Sequence, residues 1–375
     1  MINILKPEPV DLILEKAVAG ERITPGEALD VYRSADFLKV MAAARAVRGK
    51  INNPAVVTYT LFRIVNYTNV CSSACSFCGF HRPPGDPAGR VLTMEEIVAK
   101  MRTAIAAGAR QLFFQGGVNP DIPFDYYLDV LRGMKEEFGP DIHIRAFSPG
   151  EIQGMELLTG KPDREIIREL KAAGMDSIPG AGAEILSDRV RAILSPKKIS
   201  VTNWVRIMET CCEEGLRASA NIVIGSVETP EEIIEHLRIV RELQDRTGGF
   251  LSFIPWTFQR QTSKFPVRHV PAHEYLKLLG LCRLFFDNIP HIEASVLCMG
   301  RGIGELALHA GADDISSVVF EENVLTSYGL GTEEEACDYI RGSGFRPVRR
   351  DLSYGIDYFS ASSASVSGRS SVMSM

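Results

Sequence analysis

Three cysteines lie close together in the first quarter of the chain, as Cys71, Cys75 and Cys78. Their spacings of four and three residues let three thiolates converge from one compact loop. A structural zinc site usually needs four protein ligands, and His81 is the nearby candidate for the fourth. An iron–sulfur cube needs one outside ligand for each iron, so three cysteines leave one iron open to an exogenous molecule. The spacing therefore indicates a metal site, either an open iron–sulfur cluster or a zinc knuckle completed by His81.

The composition excludes several classes of protein. The chain has 375 residues, 45% of them apolar, which is the share of a globular protein with a large core. A formal charge of −6 argues against a nucleic-acid-binding surface. No apolar run approaches the roughly 20 residues that span a bilayer, and the N-terminus does not resemble a signal peptide. We expect a cytoplasmic protein without membrane contact, whose eight cysteines stay reduced.

Short runs of β-branched and aromatic residues alternate with helical patterns along the chain. The Thr-x-x-Glu spacing at Thr93 and at Thr229 predicts helix starts with capping boxes. Strands that alternate with helices predict a parallel sheet, and eight of them favour a closed (βα)8 TIM-type barrel over an open doubly wound sheet. No Gly-x-Gly-x-x-Gly follows the first strand, which also counts against the open sheet. The predicted strands lie near residues 62–69, 111–115, 141–147, 175–178, 217–224, 250–256, 291–297 and 314–319.

The two ends of the chain differ from the middle. Residues 1–55 predict a helical extension that precedes the barrel, and residues 56–350 carry the barrel itself. Residues 351–375 predict a flexible, serine-rich tail, because eight of the last sixteen residues are serine.

The cysteine segment resembles the signature of the radical S-adenosylmethionine (SAM) superfamily. That signature is Cys-x3-Cys-x2-Cys after the first barrel strand, with an aromatic residue, here Phe77, before the last cysteine. The resemblance implies a [4Fe-4S] cluster on the three cysteines, with SAM chelating the open iron. It also implies a 5′-deoxyadenosyl radical that abstracts hydrogen, and an electron donor such as flavodoxin or ferredoxin.

Other predicted strand ends carry residues that match the SAM-binding positions of this superfamily. The Gly-Gly pair after the second strand matches the site of the methionyl amino group, although Val118 stands where an acid is common. Glu228 follows the fifth strand and either lies along the adenine or caps the next helix. The residues that the resemblance assigns to SAM are Phe77, Gln115, Gly116, Gly117, Glu184, Ile224 and Gly225.

A narrower resemblance covers residues 10–350 and points to the futalosine-pathway enzymes of menaquinone biosynthesis. Within that family, residues 253–259 (Phe-Ile-Pro-Trp-Thr-Phe-Gln) are similar to the cyclases rather than to the aminofutalosine synthases. The resemblance implies hydrogen abstraction from the ribose C4′ of dehypoxanthine futalosine. The carbon radical then adds to the benzoate ring, and loss of an electron and a proton gives the spirocyclic product. Departures such as Arg260 and Cys298 leave open a synthase, or a paralogue acting on a related nucleoside.

A nucleoside with a ring carboxylate and sugar hydroxyls has to be bound at the mouth of the barrel. An arginine there would hold the carboxylate through two parallel hydrogen bonds. Each polar candidate has a plainer alternative, as part of a solvated loop or a structural ion pair, and no catalytic acid or base is assigned. The substrate-binding candidates are Arg145, Ser148, Trp256, Gln259, Glu321 and Asn323.

Overall fold

The computed structural model describes residues 9–261, 263–319 and 330–355. Three helices precede the first strand, as the sequence predicts: α1 (Pro9–Ala19), α2 (Pro25–Arg33) and α3 (Phe37–Ile51). Thr24 and Glu27 form a reciprocal capping box at the start of α2, with the Thr24 N–H donating to the Glu27 carboxylate at 2.7 Å. In the described part of the chain, no helix is both long and apolar enough to cross a membrane.

Eight parallel strands form a barrel. Their bounds are β1 (Val56–Val65), β2 (Gln111–Phe114), β3 (His143–Ala146), β4 (Ser177–Ile178), β5 (Arg217–Ile224), β6 (Phe250–Thr257), β7 (His291–Ile292) and β8 (Asp314–Val319). Neighbouring strands pair in the order β7-β6-β5-β4-β3-β2-β1-β8. A single parallel bridge between Glu293 and Asp314 connects β7 to β8, so the barrel is nearly closed and the predicted fold class is confirmed.

Helices cover the outside of the barrel and bury its outward-facing apolar side chains. They are α4 (Met94–Ala106), α5 (Phe124–Phe138), α6 (Pro149–Thr159), α7 (Asp163–Ala173), α8 (Asp188–Leu194), α9 (Val201–Glu213), α10 (Pro230–Thr247), α11 (Ala272–Phe285), α12 (Val296–His309) and α13 (Glu333–Gly342). The helix starts predicted from Thr93 and Thr229 are confirmed, since both residues are N-caps with full capping boxes.

A short ninth strand, which the sequence analysis missed, pairs with the beginning of β1. This strand, β9 (Arg346–Arg349), lies parallel to the segment of β1 from Val56 to Tyr59. The chain then turns inward. The Arg350 guanidinium pairs with the buried Asp314, with an Nη2–Oδ1 distance of 3.0 Å. The Tyr354 hydroxyl donates to Glu293 at 2.8 Å.

Residues 350–355 therefore cover the amino-terminal end of the barrel. The predicted tail begins at residue 351, whereas residues 351–355 are packed, because buried charges on the barrel pair with Arg350 and Tyr354. The rest of the predicted tail, residues 356–375, lies outside the described residues.

We expect the stability of the protein to depend on pH, because a histidine is buried in the helical layer. His236 on α10 is fully buried, and its Nδ1 accepts a hydrogen bond from the Leu186 N–H at 3.1 Å. Burial lowers the pKa of His236 to about 3. Since the unfolded chain binds this proton near pH 6.5 and the folded chain does not, the free energy of unfolding should decrease as the pH falls from 6.5 towards 3. The expected slope is about 1.4 kcal/mol per pH unit.

The variant His236→Asn keeps an acceptor near Leu186 but cannot titrate. It should therefore remove this part of the slope, although it lowers stability at pH 7 by leaving space in the core. Urea unfolding of both proteins at pH 7, 6 and 5 measures the effect. If the free energy of unfolding changes with pH by the same amount in both proteins, His236 is not the cause of this pH dependence.

Candidate active site

The three clustered cysteines lie on the loop that follows β1, at the carboxyl-terminal mouth of the barrel. The Cys71 N–H donates to the Arg82 carbonyl at 2.9 Å, which ties the two limbs of the loop together. The Ser76 N–H and hydroxyl both donate to the Leu194 carbonyl at 2.8 Å, which fixes the loop to the end of α8. The loop is therefore held from both sides of the mouth, where barrel enzymes carry their chemistry.

The thiols form a donor set that fits an iron–sulfur cluster. All three are free, and Cys75 is buried. The pKa of Cys75 is raised to about 11, chiefly by burial; Lys198 opposes this rise, while Glu184, Cys71 and Cys78 add to it. A buried thiol of this kind becomes a thiolate when a metal centre displaces its proton.

The arrangement of the three cysteines differs from that of a site for a single metal ion. Across the described ranges, no three His, Cys, Asp or Glu side chains form a group that could hold one metal ion. A cube that gives each cysteine its own iron does not require the three sulfurs to meet at one ion. The ring of His81, the candidate fourth ligand for zinc, has its Nδ1 at 2.9 Å from the Cys78 carbonyl oxygen.

Gly116 and Gly117, after β2, lie directly against the cysteine loop. A Cβ on Gly117 would lie 2.2 Å from the Val70 carbonyl oxygen, and one on Gly116 would lie 2.8 Å from the Tyr67 ring. At Gly117 the backbone of Val70 and the Cys71 side chain occupy the space that a side chain would need, and at Gly116 the side chains of Tyr67 and Thr68 occupy it. The two glycines therefore permit the segment from Tyr67 to Cys71 to approach the end of β2 closely.

Glu184 follows β4 and is held by a partly buried lysine beside the cysteine loop. Its two carboxylate oxygens are each 2.7 Å from the Lys198 ammonium nitrogen, which also lies 5.6 Å from the centre of the Phe77 ring. Arg191 donates to the carbonyls of residues 182 and 183 at 2.9 Å and fixes the backbone that leads to Glu184. The predicted SAM residues Phe77 and Glu184 are thus brought together through Lys198.

The ends of β5 and β6 lie on the same side of the barrel mouth as Phe77 and Glu184. The Phe258 N–H donates to the Ile224 carbonyl at 2.9 Å, and the Phe258 ring meets Phe77 edge-on at 5.0 Å. Gly225 has a φ of +106°, and a Cβ there would lie 2.9 Å from Val270. Trp256 lies beside Val223 in the register of β5 and β6. The sequence segment that resembles the cyclases therefore contacts the cysteine loop.

Glu228 does not cap the next helix, which was one of its two predicted roles. The next helix is capped by Thr229 and Glu232, so Glu228 is not its cap. Its carboxylate accepts from the Gly225 N–H at 2.6 Å and from the Ser226 N–H at 2.8 Å. Glu228 therefore stabilises the turn after β5.

Arg145 is the substrate candidate with the most distinctive environment. It lies on β3 beside Ser177, whose hydroxyl accepts from Nε at 3.2 Å, while Nη2 donates to the Leu352 carbonyl at 3.0 Å. Among the described residues, no carboxylate oxygen lies within 4.0 Å of its guanidinium. Burial lowers the pKa of Arg145 to about 10. Glu293 and Asp314 attract this buried cation from beyond ion-pair distance, so it has neighbouring negative charge but no direct ion pair. A buried guanidinium without a direct ion pair favours an anionic ligand.

The remaining substrate candidates are differently placed. Ser148 is the N-cap of α6, and its hydroxyl donates to Glu151 at 2.6 Å, so it is used inside the protein. The Gln259 amide donates to the Thr257 carbonyl at 3.1 Å. Glu321 and Asn323 lie outside the described residues.

Sequence reasoning missed two charged residues at the site, the partly buried Lys198 and the buried Glu151. Lys198 gives no signal, because a single lysine before a helix is ordinary. Glu151 could have been found, since Ser148 and Glu151 have capping-box spacing directly after a predicted strand. Its carboxylate accepts hydrogen bonds from groups that follow three different strands, which no local pattern predicts.

Two family profiles match the chain. Residues 65–240 match the radical SAM superfamily, and residues 247–362 match the CofH/MqnC C-terminal region. The first interval contains the cysteine loop and the ends of β2, β4 and β5. The second contains all of β6 and the segment that covers the amino-terminal end of the barrel.

Three curated relatives cover nearly the whole chain. A cyclic dehypoxanthine futalosine synthase from Streptomyces coelicolor is 40% identical, over 92% of this chain and 89% of that protein. A 5-amino-6-(D-ribitylamino)uracil–L-tyrosine 4-hydroxyphenyl transferase from Methanopyrus kandleri is 37% identical, over 92% and 96%. An aminodeoxyfutalosine synthase from Thermus thermophilus is 33% identical, over 91% and 94%.

Proposed function

Because this chain belongs to the radical SAM superfamily, in the group that contains the futalosine-pathway synthases, we propose that it cyclises dehypoxanthine futalosine in menaquinone biosynthesis. The observation that carries the proposal is the cysteine loop at the mouth, in contact with the segment around Trp256 that resembles the cyclases. The 40% identity to a relative named for the cyclic product supports the same substrate.

In this proposal Cys71, Cys75 and Cys78 hold a [4Fe-4S] cluster. The cluster and SAM together supply the 5′-deoxyadenosyl radical that abstracts hydrogen, chemistry that no side chain provides. The protein fixes the loop through Arg82 and Leu194 and places Lys198 near Cys75, where its positive charge favours the thiolate. An electron donor of the flavodoxin or ferredoxin type supplies the reducing electron.

The strand ends around the loop provide the contacts for SAM. No donor within the described residues reaches the carbonyl oxygens of Gly116 or Gly117, so both remain available to accept from a methionyl amino group. Glu184, oriented by Lys198, accepts from ribose hydroxyls. Ile224 and Gly225 lie along the adenine, next to Phe77. Gln115 contributes through the backbone of the same turn.

The nucleoside substrate then binds further inside the barrel. Arg145 pairs with its benzoate carboxylate, which makes the direct ion pair that no carboxylate of the described residues makes with the buried guanidinium. Trp256 contacts the ring system from β6. The interior of the barrel, called the chamber below, is covered at its amino-terminal end by residues 350–355, which keeps water away from a carbon radical.

The test is anaerobic reconstitution with iron and sulfide, followed by incubation with SAM, a reductant and one substrate at a time. We expect dehypoxanthine futalosine to give the cyclic product together with one 5′-deoxyadenosine per turnover. The enolpyruvyl benzoate substrate of aminofutalosine synthase, and tyrosine with the ribitylaminouracil named for the transferase relative, should give no coupled product. Coupled turnover of either alternative would assign the chain to that activity instead.

The alternative hypothesis, that the protein is a zinc-binding module without catalytic activity, leads to a different expected metal content. Metal analysis of the protein purified without oxygen would then find about one zinc per chain and no sulfide. We expect about four iron and four sulfide instead. This measurement separates the classes before any substrate is tried.

A further inference from the structure

The carboxylate of Glu151 is a fully buried acceptor at the start of α6. Oε1 accepts from the Tyr67 hydroxyl at 2.6 Å and from the Gly116 N–H at 2.9 Å. Oε2 accepts from the Ser148 N–H and from the Ser148 hydroxyl, both at 2.6 Å. Only 3% of the residue is exposed, so these four hydrogen bonds are made without competing water.

The four donors belong to three neighbouring strand ends. Tyr67 follows β1, Gly116 follows β2 and Ser148 follows β3. One carboxylate thus connects the three turns at which the chain leaves the barrel at this side of the mouth. A helix cap alone would need only the two bonds to Ser148.

The Gly116 turn in turn determines where the first cysteine lies. The Val118 N–H points to the Cys71 sulfur at 3.4 Å, and the Ser72 N–H donates to the Val118 carbonyl at 2.8 Å. Gly117 is in van der Waals contact with Val70, with no room for a side chain. Any shift of residues 116–118 therefore moves Cys71 as well.

Tyr67 secures the other side of the same turn. Its ring is fully buried, stacks on Phe114 at 4.6 Å and meets Phe147 edge-on. The ring also fills the space next to Gly116. Tyr67 and Glu151 together leave the Gly116 backbone with one possible position.

We propose that Glu151 is a positioning residue, which fixes the backbone of residues 116–118 and through it Cys71. The cluster and the methionyl end of SAM are thereby held in the correct position relative to each other. This rests on the proposed function, although Glu151 contacts neither cofactor nor substrate. Only a carboxylate fits, because both of its oxygens accept. In a glutamine, the amide nitrogen would face a backbone N–H in either orientation.

The experiment compares Glu151→Gln with Glu27→Gln, which removes the matched capping-box acid from α2, far from the site. Hydrogen exchange of the iron-free protein is followed by mass spectrometry over residues 115–119. In Glu151→Gln these amides should exchange at least about tenfold faster, while the core strands keep their rates. Glu27→Gln should leave residues 115–119 unchanged.

The loaded proteins give the second measurement. Glu151→Gln should alter the electron paramagnetic resonance spectrum of the reduced cluster with SAM and weaken SAM binding about tenfold, whereas Glu27→Gln should match the wild type. If Glu151→Gln does not fold, Tyr67→Phe removes one of the two donors to Oε1 and should give a smaller change of the same kind.

Exchange over residues 115–119 that is no faster in Glu151→Gln than in Glu27→Gln would overturn the proposal. So would acceleration spread evenly over the whole protein, which indicates a purely structural role. Because the exchange is measured without iron, it judges this inference even if the chain proves to have another activity.

Discussion

Replacing Cys75 with alanine should remove the iron–sulfur cluster and abolish cleavage of SAM. With three protein ligands for the cube, loss of one leaves two irons without a thiolate. Cys75 is also the buried member of the set, so no other side chain can take its place without moving the loop. Iron, sulfide and 5′-deoxyadenosine are measured after anaerobic reconstitution.

Two variants control this result. Cys212→Ala removes a half-buried free thiol on α9 and should retain about four iron per chain and full SAM cleavage. His81→Ala should also retain its iron, because the cluster needs no fourth protein ligand. Loss of metal in His81→Ala would favour the zinc knuckle, and cluster retention in Cys75→Ala would refute the assignment of the ligands.

The sequence was sufficient to predict the barrel because its signals are local. Helix starts at Thr93 and Thr229 are encoded by capping boxes, and the strands between helices are short β-branched runs. The three cysteines lie on one loop, so their spacing alone was enough to predict a metal site there. Family resemblance supplied the cofactor, which spacing alone left open between iron–sulfur and zinc.

Strand bounds were less accurate where partners are distant in the chain. The first strand was predicted at residues 62–69 but begins at Val56, because its early residues pair with β9, nearly 300 residues later. The predicted strand at 291–297 shortens to two residues, since the chain from Val296 onward forms α12. Neither effect has a local sequence signal.

The enclosed charges in and around the barrel were also beyond local prediction. Glu151 and Lys198 at the mouth, and Arg350 at the opposite end of the barrel, each act through partners from other strands or loops. A charged residue in a loop looks solvated in the sequence, and only the fold shows that it is enclosed. Ser148 shows the opposite case. It was predicted to be available to the substrate, but its hydroxyl is used in the cap of α6.

The second large effect concerns Arg145. Arg145→Met should raise the KM for the nucleoside at least about 30-fold, because the substrate carboxylate would lose the buried guanidinium that is proposed to pair with it. Binding of SAM should be unchanged, since Arg145 lies within β3, below the strand ends at which SAM is proposed to bind. Slow SAM cleavage without cyclised product is expected, because the radical forms beside a poorly held substrate.

Arg145→Lys separates charge from geometry. A lysine keeps the positive charge but presents a point charge in place of the planar fork, so it should recover only part of the lost affinity. Removing a buried arginine also lowers stability, and Arg48→Met is the matched control. Arg48 is buried near the start of β1, where it donates to the carbonyls of Pro54 and Val56 at 3.1 and 2.6 Å, away from the chamber.

Arg48→Met should therefore be less stable than the wild type yet have its KM, which isolates the effect of Arg145 on the substrate from the cost of losing a buried guanidinium. A KM that rises equally in both variants would mean that Arg145 serves the fold alone. A KM unchanged in Arg145→Met would move the carboxylate site elsewhere in the barrel. The Arg145 guanidinium, which donates to Ser177 and forms no ion pair among the described residues, would then have a different anion as its ligand.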